Sequence, residues 1–349
     1  MKNPPTVSVI MPVYNGEPFL EQALLSVLNQ SLEDFELLVV DDGSTDSSME
    51  TVSKYARLDR RIRVITHPRN LGLVAALNSG IERARGGYLA RMDQDDISLR
   101  DRFIAQVGHL ESHPETGLVG CRVRHIDESG RLLSTPRVYL DSLSISWQIM
   151  FHNPFYHATV MLRKQELDRR KLRYDPEFEN GEDYDLWSRF LMHTGGENLP
   201  EILLHYRVHP ASMSERGSRK QRRNAADIAS LTIHRHYPEA QITPSQAREL
   251  TYAFLGIDPD CKRQRARALD LYLKVWAEFT RCHRQAAGLA QVRQDALAWA
   301  ARMVLYPPFQ AGTIRALGSL TSLDWRWPWY LLGKLPAYLF KKWKVEFFH

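Results

Sequence analysis

At 349 residues the chain exceeds the usual single-domain size, so one larger domain with a smaller companion is expected. Hydrophobic residues make up 44% and charged residues 25% of it, the balance of a folded protein rather than of a disordered or membrane-spanning one. The net charge of +5 favours anionic partners but does not choose among phosphates, nucleic acid and acidic lipid. Cys121, Cys261 and Cys282 are far apart, with neither zinc spacing nor the density of a secreted disulfide framework, which fits a reducing compartment.

The first apolar run, Val7–Val13, contains Pro12 and precedes no small-residue cleavage site, so it reads as a buried strand and not as a signal peptide. From there to about Val123, short β-branched runs alternate with helical patterns, the signature of a mostly parallel sheet covered by helices. Strands are predicted over residues 7–11, 35–40, 62–66, 88–92 and 118–123. Pro18 opens a helix in which Phe19, Ala23, Leu24, Val27 and Leu28 face the sheet. Residues 73–84 repeat that pattern, and Gly86-Gly87 ends it. From about Glu215 onward strand signals vanish. Thr243-Pro244-Ser245-Gln246 reads as a capping box with proline at the first helical position, and residues 269–279 and 289–305 carry apolar side chains at helical spacing. The polar, basic stretch 214–223 reads as a linker. The expected organisation is an α/β domain over 1–214 and a helical C-terminal domain over 215–349.

Polar residues gather where strands end. Tyr14-Asn15-Gly16 follows the first strand, Asp41-Asp42-Gly43-Ser44 the second and Asp93-Gln94-Asp95-Asp96 the fourth. Ligands of open α/β sheets bind outside the carboxyl ends of the strands, so the three segments should converge on one site. Three carboxylates within four residues repel one another unless a divalent cation or a hydrogen-bonding ligand compensates them. A solvated acidic loop with Asp96 as a helix cap is the alternative. In Asp41-Asp42-Gly43 a carboxylate suits a base imino N–H or ribose hydroxyls, although an ordinary turn accounts for the same residues. Glu182-Asp183-Tyr184-Asp185 opens an amphipathic stretch, where acids are favoured by the helix dipole or serve as a general base. His205-Tyr206-Arg207-Val208-His209 alternates as a strand would, which turns His205, Arg207 and His209 one way, toward phosphates.

No Walker-type loop, Gly-x-Gly-x-x-Gly, Gly-x-Ser-x-Gly elbow or His-Glu-x-x-His is present, which removes most support for P-loop, dehydrogenase, hydrolase and zincin readings. Basic runs at 219–223 and 261–265 leave a nucleic-acid-binding module as a rival. The acidic strand ends argue against it. A sugar nucleotidyltransferase is a nearer rival, but would need a Gly-rich, basic loop where this chain has Val13-Tyr14-Asn15-Gly16-Glu17.

Taken in order, Val9-Ile10-Met11-Pro12-Val13-Tyr14-Asn15-Gly16, Ser26-Val27-Leu28-Asn29-Gln30, Val40-Asp41-Asp42-Gly43-Ser44-Thr45-Asp46, Asn70-Leu71-Gly72-Leu73, Ala90-Arg91-Met92-Asp93-Gln94-Asp95-Asp96 and Glu182-Asp183-Tyr184-Asp185-Leu186-Trp187 closely resemble the GT-A domain of family 2 glycosyltransferases, up to about Ser214. The resemblance implies a nucleotide-sugar donor, UDP-linked before GDP or dTDP, and a Mg²⁺ or Mn²⁺ cofactor. It places Pro12, Val13 and Tyr14 along the base, Asp42 on its imino N–H with Asp41 nearby, Asp93 on the ribose and Asp95 on the cation. It makes Asp183 the catalytic base with Glu182 supporting the acceptor site, and His209, in a Tyr-Arg-x-His-x-x-Ser segment, a further ligand of metal or phosphate. The Gln-x-x-Arg-Trp motif and long spans of the processive members are missing, so one sugar is expected to move, with inversion, to a glycan or lipid-linked acceptor in cell-surface assembly, with no nucleic-acid partner.

The last stretch mixes aromatics with bases, from Trp325, Trp327 and Trp329 to Lys341, Lys342, Trp343 and Lys344. Its apolar part is too short and too interrupted by Lys334 and Pro336 to span a bilayer. Peripheral attachment of a cytoplasmic protein to the inner-membrane surface is the expectation.

Overall fold

The computed structural model describes residues 4–210, 212, 219–255 and 261–305. The first half of the sheet is built from β1 (Val7–Val13), β2 (Phe35–Asp41), β3 (Ile62–Thr66) and β4 (Tyr88–Arg91), with α1 (Leu20–Leu28), α2 (Ser48–Leu58) and α3 (Leu73–Arg83) between them. The strands lie in the order β3-β2-β1-β4 and all pair in parallel. Every residue of β1 and β2 is buried, as expected where helices cover both faces of a parallel sheet. The predicted strands fall within a residue or two of these bounds, except that the first and fifth run longer.

Beyond β4 the connections become irregular. The short β5 (Ile97–Ser98), α4 (Arg102–Ser112), β6 (Thr116–Ile126), β7 (Leu132–Ser134), α5 (Ser142–Gln148), β8 (Met161–Arg163), α6 (Lys164–Arg169), α7 (Glu182–Phe190) and β9 (Gly195–Arg207) follow. The sheet continues β4-β8-β6-β9-β5, with β8 antiparallel to both its neighbours and β7 attached only to β6. One apolar core joins the halves, with Met11, Val39 and Ala90 packed among Phe103, Val119, Met161 and Leu204.

After β9 the described elements are helical: α8 (Arg219–His236), α9 (Pro244–Leu255), α10 (Cys261–Cys282) and α11 (Leu289–Leu305). The predicted capping box closes reciprocally. Gln246 N–H donates to Thr243 Oγ1 at 3.3 Å while Thr243 N–H donates to Gln246 Oε1 at 3.0 Å. The chain divides into two compact units, Met1–Ile228 and Ala229–His349, later than the Ser214 boundary read from composition. The reason is that the first turns of α8 belong to the first unit. Asn224 Nδ2 donates to the Glu179 carbonyl at 2.8 Å, and a Cβ on Gly181 would come within 2.8 Å of Ile228 Cδ1. Among the described residues no helix is long and apolar enough to cross a membrane. The aromatic and basic tail, 325–349, lies outside the described residues.

Candidate active site

Because β1, β2 and β4 are parallel neighbours, their carboxyl ends share one edge, and the three polar segments do converge there. A cleft of about 510 Å³ is lined by Pro12, Val13, Tyr14, Asp42, Asp93, Asp95, Glu182, Tyr206 and His209, among others. Asp41 and Asp183 do not line it, although their chain neighbours Asp42 and Glu182 do. A more open groove of about 920 Å³ flanks the 97–100 segment, but the three polar segments do not open into it.

The loops are tied to one another by polar bonds. Gln94 clasps the main chain of Tyr14, its Oε1 accepting from Tyr14 N–H at 2.9 Å and its Nε2 donating to Tyr14 O at 3.2 Å. Asn15 N–H donates to Ser44 Oγ at 3.1 Å, and Thr45 N–H returns to Asn15 Oδ1 at 2.9 Å. Asp41 accepts from Ser44 N–H at 3.0 Å, so it shapes the turn. Asp42 accepts from His67 Nδ1 at 2.7 Å and from the N–H groups of Leu71 and Gly72 at 2.9 and 2.8 Å. Three of its four lone-pair sites are thereby used, and one on Oδ2 is left. His67 is held in turn by Ser79 at 2.9 Å. Sequence reading does not single it out, since its partner lies twenty-five residues away.

Gly43 makes this turn possible. Its φ is +76°, and a Cβ there would lie 2.6 Å from the Arg69 carbonyl carbon. Gly43→Ala should therefore destabilise the protein by about 1–2 kcal/mol from backbone strain alone, with more from the clash. Lowered thermal unfolding together with weakened nucleotide binding is the expected outcome, and an unchanged melting curve would refute it.

The acidic loop is held from below by two buried arginines. Arg91, ending β4, donates through Nη2 to Asp93 Oδ1 at 2.6 Å and through Nη1 to the Met92 carbonyl. Arg207, ending β9, donates to the carbonyls of Asp95, Asp127 and Glu128 at 2.8, 3.1 and 3.0 Å and to Gln22 Oε1 at 2.8 Å. Four of its five N–H donors are thus taken by protein oxygens, so Arg207 supports the acidic loop while also lining the cleft. His205 pairs with Ile97 of β5. That pairing brings the end of β9 to the acidic loop, where His209 Nε2 lies 2.9 Å from Asp95 Oδ2.

Oxygens of Asp93, Asp95 and Asp96 lie within 4.8 Å of one another. Burial and the charge of Asp93 raise the pKa of Asp95, and Asp96 is pushed well up by burial, then by its two neighbours. Asp96 Oδ1 accepts from Arg207 N–H at 2.8 Å while its buried Oδ2 has no partner. An orphaned carboxylate oxygen within a repelling group is the chemistry that a hard divalent cation satisfies.

Opposite this loop, α7 opens with Glu182, Asp183 and Asp185. Asp185 is buried and committed to Arg189 at 2.6 Å. Asp183 accepts from Tyr184 N–H at 2.7 Å on Oδ1 and from Asn153 Nδ2 at 2.7 Å on Oδ2, which leaves two lone-pair sites open. Burial first, then the Glu182 carboxylate, lifts its pKa to about 7 against the lowering effects of Tyr184 N–H, Arg91 and Asn153. Glu182 is likewise raised by burial. Asn153 and Arg91 are the functional neighbours that sequence reading missed. Only the fold brings Asn153, from an unremarked loop, to Asp183.

A model of family 2 of the glycosyl transferases matches residues 8–172. An uncharacterized glycosyltransferase of Haemophilus influenzae is 31% identical over 248 residues, 67% of this chain and 75% of that protein. The chain belongs to glycosyltransferase family 2. The transferase is also 36% identical over 214 residues to the amylovoran biosynthesis glycosyltransferase AmsE of Erwinia amylovora, covering 60% of this chain and 79% of that one. Its fold matches S. aureus TarS, crystallised with UDP-GlcNAc, at a TM-score of 0.58 and 17% identity, over 91% of this chain and 88% of that one. The GT-A architecture expected from the motifs is therefore the one that the transferase adopts.

Proposed function

We propose that the transferase moves one sugar, with inversion, from a nucleotide-sugar donor, a UDP-sugar in the favoured case, to a hydroxyl of a glycan or lipid-linked acceptor in cell-surface polysaccharide assembly. The observation that carries this reading is the pairing, across one cleft, of a carboxylate group suited to a cation with a helix start whose Asp183 titrates near neutrality. Pro12, Val13 and Tyr14 would lie along the base, the open lone pair of Asp42 would accept its imino N–H, and Asp93 would take the ribose. Asp41 would contribute by shaping that turn. Asp95 and Asp96 would hold Mg²⁺ or Mn²⁺, with His209 as a further ligand or as the partner that orients Asp95. A cation bound there would neutralise charge on the departing diphosphate.

In the reaction itself Asp183 accepts the acceptor hydroxyl proton as that oxygen bonds to the anomeric carbon and the bond from that carbon to the diphosphate breaks. One displacement inverts the configuration, and no covalent enzyme intermediate forms. Asn153 and Tyr184 N–H keep the carboxylate in place while its open lone pairs take the proton, and Glu182 shapes the acceptor side. No nucleic-acid partner is invoked.

A base must be unprotonated to act, so turnover should fall about tenfold per pH unit below pH 7 and level off above it. A screen of UDP-, GDP- and dTDP-sugars for Mn²⁺-dependent hydrolysis across this range tests the reading. Absence of cation-dependent hydrolysis with every donor would overturn it.

The tail at 325–349 supports peripheral attachment of a cytoplasmic enzyme through its tryptophans and lysines. Deleting it should shift the protein from the membrane fraction to the soluble fraction with donor binding intact. An unaltered distribution would count against that attachment.

A further inference from the structure

His67 does not line the cleft, yet it is only 9% exposed and its ring is committed at both nitrogens, to Asp42 and to Ser79. The sheet brings the first pair together. Thr66 of β3 is the register partner of Asp41 of β2, and His67 N–H donates to the Asp41 carbonyl at 2.9 Å. The residues that follow, His67 and Asp42, therefore leave the two parallel strands side by side. Ser79 comes from α3, which lies close on the sheet because residue 80 is glycine. A Cβ there would fall 2.5 Å from Ile10 Cγ2.

A carboxylate brings no proton to its bond with His67, so Nδ1 is the donor, and Nε2 of the neutral ring accepts from the Ser79 hydroxyl. Ser79 thereby selects the tautomer that serves Asp42. The main-chain N–H groups of Leu71 and Gly72 hold one oxygen of Asp42 each, and about the line joining those oxygens the carboxylate could still tilt. His67 Nδ1–H, 2.7 Å from Oδ1, supplies a third point from a different element and removes that freedom. What remains for the cleft is one acceptor lone pair on Oδ2.

We propose that His67, set by Ser79, is the positioning residue by which the transferase selects nucleobases bearing an imino N–H. Uracil, thymine and guanine present that donor. Cytosine and adenine present a ring-nitrogen lone pair in the corresponding place, which would meet the Asp42 oxygen as acceptor against acceptor. A carboxylate free to tilt would lose much of this contrast, because a hydrogen bond discriminates only when the protein group is held where a wrong base leaves it unpaired. This role rests on the nucleotide-donor reading of the cleft.

The test is calorimetric titration of the full chain in Mn²⁺ with UDP, GDP and dTDP, each beside its analogue methylated at the imino nitrogen, and with CDP and ADP. The parent should bind its preferred nucleotide at least about tenfold more tightly than the methylated analogue, CDP or ADP. His67→Gln, whose amide reaches the place of Nε2 and not that of Nδ1, should lose about tenfold for the preferred nucleotide and leave the methylated analogue unaltered. His67→Asn puts an amide nitrogen in the place of Nδ1 and should keep the preference within about threefold of the parent's. Ser79→Ala takes nothing from Asp42 directly and serves if His67→Gln does not fold; it should lower the preference about threefold. A merely structural support would instead weaken preferred and methylated nucleotides equally, and that result would overturn the proposal. So would an unaltered preference in His67→Gln and Ser79→Ala, or a parent that favours CDP or ADP. A parent that binds no nucleoside diphosphate would overturn the donor reading itself, and this role with it.

Discussion

Asp183→Asn should lower turnover by roughly two to four orders of magnitude, the usual contribution of a positioned general base, while leaving nucleotide and cation binding intact. The substitution keeps shape and can keep the Tyr184 N–H bond, but a neutral amide cannot take the acceptor proton. Asn153, which donates to Asp183 Oδ2 at 2.7 Å, would meet either the amide oxygen or the amide nitrogen, so modest local rotation is the only expected structural effect. Burial and Glu182 hold the native carboxyl near pH 7, and with an amide in its place the acid limb of the pH profile should vanish along with the rate. The measurement is turnover against pH beside calorimetric titration with nucleoside diphosphate and Mn²⁺. Near-normal turnover in the variant would remove Asp183 from the chemistry and direct attention to Glu182, since Asp185 is already bound to Arg189.

Asp95→Asn should behave differently, losing cation-dependent diphosphate binding and turnover together by roughly a hundredfold or more, as expected when a ligand of a charge-stabilising cation is removed. Without cation the variant should be no less stable than the parent, because one of three mutually repelling carboxylates is gone. The rise in unfolding temperature on adding Mn²⁺ with nucleotide should shrink sharply. Burial, then Asp93, raises the Asp95 pKa, so cation binding by the parent should weaken as pH falls and this carboxylate takes up a proton. Retention of the full cation-induced stabilisation in the variant would show that Asp95 is not a ligand.

The centre of the parallel half was legible because β1 and β2 are buried on both faces and therefore read as continuous apolar runs, as Leu37, Leu38, Val39 and Val40 do. The helical elements from Pro244 onward were legible for a similar reason, a strong cap and a regular apolar period. The second half of the sheet was not, β6 and the end of β9 apart. β8 is three residues long, and β9 begins Gly-Gly-Glu-Asn-Leu-Pro, residues of low strand propensity whose pairing with β6 is interrupted by register shifts. The acidic residues of the site stood out by their clustering. Two of their supports, Asn153 and His67, did not, because each acts through a partner that only the tertiary structure brings near.

The clasp between Gln94 and Tyr14 separates two properties that active-site loops often share. Gln94 grips only the main chain of Tyr14, at N–H and carbonyl, and Tyr14 is 44% exposed. The position of the loop is therefore indifferent to which side chain residue 14 carries, while Gly16 must stay small because a Cβ there would press within 2.8 Å of Gln94 Oε1. With Tyr14 along the base, as proposed, position 14 is where donor preference could be re-engineered without disturbing the main chain that Gln94 holds, and positions 16 and 94 are not.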